Sequence, residues 1–400
     1  MSKGLVLVYD DDEKRNVAVH FKKRLDVVSA VTKNFDVEVL DTDALIKSLV
    51  ILAARRASFR KNSETAPSGR CPLDKCAVLV LDYDLFEIAS DAWSEQDLTG
   101  EEVAYLARCF STCGVIVGVN QFGDNPFDLT LKGKLGSFAD LNIGGRQLDN
   151  PGLWGGPFPE FRPWTWPDLS ESVKAFEARA GYVQENIRRP VLEVLGLASI
   201  STQIPRSALQ FLGNDPKAAS FEDFVFASGN GLRHKDVGLP PRQTARVAAA
   251  RLSKWLERRI LPGQDLLVDA PHLVTRYPSL LRGNHERQET WNRSARFASP
   301  NDLGLKTSLI EKPRFKHGNI FSRPVWFWGE IAATQEIPEV REPWSREDTS
   351  FEFCEDTSSF HRRSECREFL AEVDSPYVQR FVRNIKGADY RPRFRMALAK

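Results

Sequence analysis

Residues 77–85 read Ala-Val-Leu-Val-Leu-Asp-Tyr-Asp-Leu, and no other stretch constrains the fold of this chain as much. Four consecutive apolar residues, 78–81, lie between Cys76-Ala77 and Asp82. The run is too short for a helix and does not alternate, which is how a strand covered on both faces of a parallel sheet reads. Ligand chemistry in open parallel sheets gathers beyond the carboxyl ends of the strands, so Asp82 and Asp84 fall where a site is expected.

The flanking sequence supplies the rest of such a sheet. A second short apolar run, residues 5–9, stops at Asp10-Asp11-Asp12-Glu13 and precedes an amphipathic stretch reaching about residue 30. Alternation of Phe35, Val37 and Val39 with Asp36 and Glu38 predicts a half-buried strand over 35–40, and the spacing over 42–56 predicts a helix. Residues 57–75 read as a loop. Residues 99–113 carry helical spacing in Val103, Leu106, Ala107 and Phe110, with Thr99 as cap and Glu102 three residues on. A further buried strand is expected over 114–120, and a fifth over 127–131, ending at Lys132. The predicted class is α/β, a doubly wound parallel sheet of order 2-1-3-4-5 followed by a larger α+β region.

A strand ending in paired acids, a strand ending in Asp82, a strand over 115–119 and a lysine after the last strand together resemble the receiver domain of two-component response regulators. The resemblance covers about residues 3–140. It implies that Asp82 is the phosphoacceptor, that Asp10, Asp11 and Asp84 join it in holding Mg²⁺, and that Lys132 contacts the phosphoryl group. The chain departs from that family at three points. Val119 or Asn120 stands where a small hydroxyl residue belongs, Gly133 follows the lysine where proline is expected, and the loops near 58–75 and 87–98 are long. Two readings therefore stay open, a working receiver and a degenerate one that keeps the fold without phosphotransfer. Asp82-Tyr83-Asp84 also fits the Asp-x-Asp of haloacid-dehalogenase-like phosphatases, with Asp82 as nucleophile and Asp84 as general acid. Whatever the family, carboxylates converging at one sheet edge repel unless a hard cation joins them, and an aspartate beside such a cation can attack a phosphoryl donor.

Six cysteines in 400 residues are too few for a disulfide scaffold. Cys71, Cys76, Cys109 and Cys113 would gather at the amino edge of a receiver-like sheet, where four thiolates suit a structural Zn²⁺. The alternative is that they serve as small buried hydrophobes.

Residues 141–169 hold Pro, Gly and three tryptophans, so an ordered linker is expected between a 1–140 unit and an α+β domain over 170–400. In that second half, helices are expected over 170–197, 242–261, 362–371 and 376–385, and strands over 266–268, 325–331 and 351–354. Val247, Ala248, Leu252, Trp255, Leu256 and Ile260 fall on one stripe, opposite Arg246, Arg251, Lys254 and Arg258. His234, Asp269, His272, His285, Glu286 and Asp356 are residue types from which a hydrolase or nuclease site is built, though without a recognised spacing.

The last 25 residues carry seven Lys/Arg against one Asp. Arg380, Arg383, Arg391, Arg393 and Arg395, interleaved with Tyr377, Phe381, Tyr390 and Phe394, form a candidate nucleic-acid patch. The alternative is a terminal helix and tail paired with the protein's own acidic surface. No apolar run approaches the roughly 20 residues of a membrane span. The expectation is a cytoplasmic signalling protein with a protein partner and Mg²⁺, in which a receiver-like domain docks or controls a C-terminal effector. An Mg²⁺-dependent phosphatase or hydrolase is the competing class.

Overall fold

The computed structural model describes residues 3–61, 69–83, 85, 98–120, 137–226, 238–297, 299–317, 319–334, 336–337, 350–369 and 380–386. Its N-terminal part is a five-stranded parallel sheet of order β2-β1-β3-β4-β5. The elements are β1 (Gly4–Tyr9), α1 (Val17–Leu25), α2 (Ser29–Asn34), β2 (Phe35–Val39), α3 (Thr42–Arg60), β3 (Cys76–Asp82), α4 (Gly100–Phe110), β4 (Val115–Asn120) and β5 (Leu141–Gly144). β3 buries every residue but Ala77 and β1 its last four, as their apolar runs require, whereas β2 at the sheet edge buries Phe35 and Val37 and exposes Asp36, Glu38 and Val39.

Side-chain alternation divides the sheet into two cores. Val6, Val8, Val78, Val80, Val117 and Val119 face α1 and the chain after β5. Leu7, Tyr9, Leu79, Leu81 and Ile116 face α3 and α4, and that core runs without a break into the second half of the chain. Helices cover both faces, the doubly wound arrangement. Asp41 caps α3 by accepting from Ala44 N at 2.7 Å. Thr99 and Glu102 form the capping box expected of α4.

The fifth strand differs from expectation. Residues 127–131 lie outside the described residues, and the strand beside β4 is Leu141–Gly144, with Val117 paired to Leu141. Lys132 therefore precedes the last strand instead of following it. The sheet also reaches into the stretch expected to be linker. The rest of that stretch is ordered around buried tryptophans: Trp154 and Trp166 pack beneath the sheet, and Trp164 belongs to the other core.

In the second half, α5 (Leu169–Glu185) is capped by Asp168, and the Ser170 hydroxyl donates to Trp154 O at 2.6 Å from inside the first turn. The long amphipathic segment forms a central helix, Pro241–Trp255, continued by a wider turn, Leu256–Ile260, and closed near Pro262-Gly263. Its charged side is not in solvent. Arg246, Arg251 and Lys254 are all buried, because α4 and α5 enclose the helix on the face a two-sided reading assigns to water. Farther on come the pair β6 (Leu267–Asp269) and β7 (Val325–Phe327). The last sheet, of order β10-β11-β8-β9, joins β8 (Glu352–Cys354), β9 (Ser359–His361), β10 (Arg367–Phe369) and β11 (Arg380–Val382). β10 and β11 fall where helices are expected. Both are three-residue strands whose hydrogen-bonding partners are remote in sequence. Among the described residues, no helix is long and apolar enough to cross a membrane.

Candidate metal centre

β1 and β3 are adjacent and parallel, with Tyr9 paired to Leu81, so the residues that end them meet at one edge. Carboxylate oxygens of Asp10, Asp11 and Asp82 all lie within 4.8 Å of one another. Asp10 and Asp82 are buried and Asp11 is half-buried. Local backbone bonds fix two of them: Asp12 N donates to Asp10 Oδ1 at 3.0 Å, and Tyr83 N donates to Asp82 Oδ1 at 2.8 Å. Three hard oxygen donors at this spacing fit Mg²⁺ or Ca²⁺, which take carboxylate oxygens, better than a thiophilic metal.

The surroundings are set by two close approaches. Gly100 N donates to Tyr83 O at 3.0 Å, and a Cβ at Gly100 would sit 2.0 Å from the Asp82 carbonyl oxygen. Only glycine lets α4 begin this near the end of β3. Val119 is the strand partner of Asp82 and is fully buried, so an apolar residue holds the position paired with Asp82 on the adjacent strand. On the other side, Tyr9 Oη lies 3.3 Å from Thr42 Oγ1, which donates to Glu13 Oε1 at 2.6 Å. Burial is the main cause that pushes the Tyr9 phenol up to about 12, with Asp11, Glu13 and Asp10 adding to it, so it stays neutral. Thr42 and Tyr9 carry no motif, and sequence alone does not point to them.

Asp84 and Lys132 lie outside the described residues. The four cysteines read as zinc ligands are all buried, but no three of them gather: among the described residues the only cluster of metal-ligating side chains is Asp10, Asp11 and Asp82. Burial raises the Cys109 thiol to about 12, and burial followed by the hydrogen bond with Cys113 raises Cys76. Enclosed in the core, the four pack as small hydrophobes.

The residues considered for a hydrolytic site separate into structural roles. Asp269 is bound by His272 Nδ1 at 2.6 Å and by Trp164 Nε1 at 2.6 Å, and Arg323 lies 3.6 Å away. Asp356 accepts from the backbone nitrogens of Arg383 and Asn384. His285 Nε2 lies 3.0 Å from Leu281 O, and Glu286 is exposed beside it without joining the Asp269 group. His234 lies outside the described residues. In the basic segment, Arg380 is buried, paired to Glu355 at 2.5 Å and bonded to Pro262 O, so it does not face a nucleic acid. Arg383 contacts Glu365, and Arg391, Arg393 and Arg395 lie outside the described residues. A comparison of the chain with protein-family models, curated proteins and solved structures finds no match.

Proposed function

We propose that the five-stranded unit is a receiver-like regulatory module whose carboxyl edge binds Mg²⁺, and that it docks or controls the helical second half of the chain as a signalling protein. The observation that carries this reading is the convergence of Asp10, Asp11 and Asp82 at adjacent strand ends. Bound there, Mg²⁺ would neutralise carboxylate charge and leave positions for phosphate oxygens. Asp10 and Asp11 hold the cation, and the Asp82 carboxylate is the oxygen nucleophile toward a phosphoryl donor. The continuous core between sheet and second half supports a docked arrangement. Val119 beside Asp82 favours the degenerate form, since no hydroxyl is in place there to follow a phosphoryl group.

Titrating the full chain with Mg²⁺, then adding acetyl phosphate or beryllofluoride, separates the readings. Mg²⁺ binding that is lost in Asp82→Asn, with no adduct, is the expected result. A stable adduct on Asp82 identifies a working receiver. Sustained release of inorganic phosphate identifies the Asp-x-Asp phosphatase alternative instead, and absence of Mg²⁺ binding rejects the site.

A further inference from the structure

The last sheet holds two thiols in a geometry that metal binding at the first sheet does not use. β9 is one edge of that sheet and β10 the other, so the chain from His361 to Arg367 must cross β8 and β11. Glu352 and Cys354 alternate with Phe353 along β8 and so share one face. The crossing chain meets that face twice: Arg363 Nη1 lies 2.9 Å from Glu352 Oε1, and Cys366 Sγ lies 3.3 Å from Cys354 Sγ. Phe353 points the other way, against Phe360 and His272. The thiols are thus held between the crossing and the strand it covers. Cys366 is partly exposed, while Cys354 and the remaining four cysteines are buried.

We propose that Cys354 and Cys366 are a redox modification site, forming a reversible disulfide with hydrogen peroxide as oxidant. Cys366 is the attacking sulfur, because it is the partly exposed member of the pair and accepts the Cys354 S–H, a bond that together with the Arg383 charge outweighs burial, Glu352 and Glu365 and favours its thiolate. The Cys366 thiolate attacks one peroxide oxygen, the O–O bond breaks, and the departing hydroxide takes up a proton as water, leaving a sulfenic acid. The Cys354 sulfur, giving up its proton, then attacks the sulfenic sulfur, the S–O bond breaks, and a second water leaves. Two thiols lose two electrons and one peroxide becomes two waters. Closing from 3.3 Å to a bonded distance of about 2 Å needs a shift of roughly 1 Å, within the reach of a crossing segment and two thiol rotors. The product fastens the crossing to β8. This inference does not depend on the Mg²⁺ reading.

Peroxide treatment of the full chain, followed by thiol alkylation, digestion and mass spectrometry, tests it. The expected product is a single linkage between the peptides holding Cys354 and Cys366, with the other four thiols alkylatable after unfolding, and the linkage is removed by dithiothreitol. In Cys354→Ser, Cys366 should stop at a sulfenic acid that dimedone traps. In Cys366→Ser, Cys354 should stay reduced. Alkylation of both thiols after peroxide, or conversion of wild-type Cys366 to a sulfinic acid without linkage, overturns the proposal.

Discussion

The two ends of the parallel sheet handle charge in opposite ways. At the carboxyl end, three carboxylates converge on one point. At the amino end, the central helix delivers cations to backbone carbonyls: Arg246 Nη2 donates to Thr112 O at 2.8 Å and Cys113 O at 2.9 Å, and Lys254 Nζ donates to Ser137 O at 3.1 Å and Ala139 O at 2.9 Å. Gln243 adds a bond to Ser111 O, and Arg108 one to Gly114 O. These carbonyls precede β4 and β5, where no strand partner reaches them. Burial pushes the Lys254 ammonium well below its ordinary range, with Arg258 adding to the effect, so enclosing it is costly and the two carbonyl bonds offset that cost. The amino end is closed by folding itself, while the carboxyl end has the chemistry of a ligand site.

If that contrast is right, the largest stability loss comes from the closed end. Arg246→Ala leaves the buried Cys113 carbonyl and the part-buried Thr112 carbonyl without their donor and is expected to cost about 3 kcal/mol in urea unfolding. Glu177→Gln removes the other partner of Arg246, whose side chain is 65% exposed, and should cost less than about 1 kcal/mol because water screens that pair. Equal effects from the two substitutions would show that the ion pair, and not the carbonyl contacts, matters at this end.

The carboxyl end is expected to respond to ligand instead. At ten times its dissociation constant, Mg²⁺ is expected to stabilise the wild-type chain by about 1.4 kcal/mol. Asp82→Asn should abolish that increment, read as the shift in unfolding midpoint with and without Mg²⁺. Arg246→Ala should leave the increment unchanged, since additivity holds for distant sites. A change in Mg²⁺ affinity on substitution of Arg246 would mean that the two ends are coupled, sharpening the regulatory reading into a measurable linkage.

Legibility in the sequence followed the range of the interactions. The strands ending at Tyr9 and Asp82, the capping box at Thr99 and the meeting of Asp10 and Asp11 with Asp82 depend on apolar runs and on one topological rule, so they could be read in advance. The fifth strand could not be placed, because a four-residue strand such as 141–144 carries too little pattern to outweigh a similar apolar stretch at 127–131. The burial of Arg246, Arg251 and Lys254 was hidden for a different reason. Amphipathic spacing assigns charge to solvent, and what reverses the assignment lies more than a hundred positions away: the carbonyls of residues 112 and 113 for Arg246, those of 137 and 139 for Lys254, and the Phe138 ring under Arg251. The strands β10 and β11 were missed likewise, since three-residue segments carry too little pattern of their own: β10 is a strand only through β11, and β11 is tied to the sheet through β8.

A third arrangement of charge, enclosed in the core between the two ends of the chain's second half, gives the smallest expected effect and a different signature. His272 from the helix Ala270–Arg276 sits between Asp269 of β6 and Glu355, with Arg323 beside Asp269 and Arg380 beside Glu355. Burial opposes charge on His272, but attraction and hydrogen bonding to Asp269, with Glu355 behind them, outweigh it and raise its pKa above the ordinary 6.5. Burial likewise opposes ionisation of Asp269, and the His272 charge and bond outweigh it, lowering that pKa below the ordinary 3.8. The raised histidine contributes stability that is fully present below 6.5 and is lost as pH rises through its folded value; the lowered aspartate contributes stability present above 3.8 and lost as pH falls through its own folded value. His317 and His361 are shifted downward, chiefly by burial, so they contribute in the opposite direction over the same range. The difference between wild type and His272→Asn isolates the network: it should shrink from about pH 6 to about pH 8 in matched thermal unfolding series. A difference that stays constant or grows with pH would show that His272 is held neutral, and that this core group, unlike the cations at the amino edge of the sheet, is enclosed without its charge.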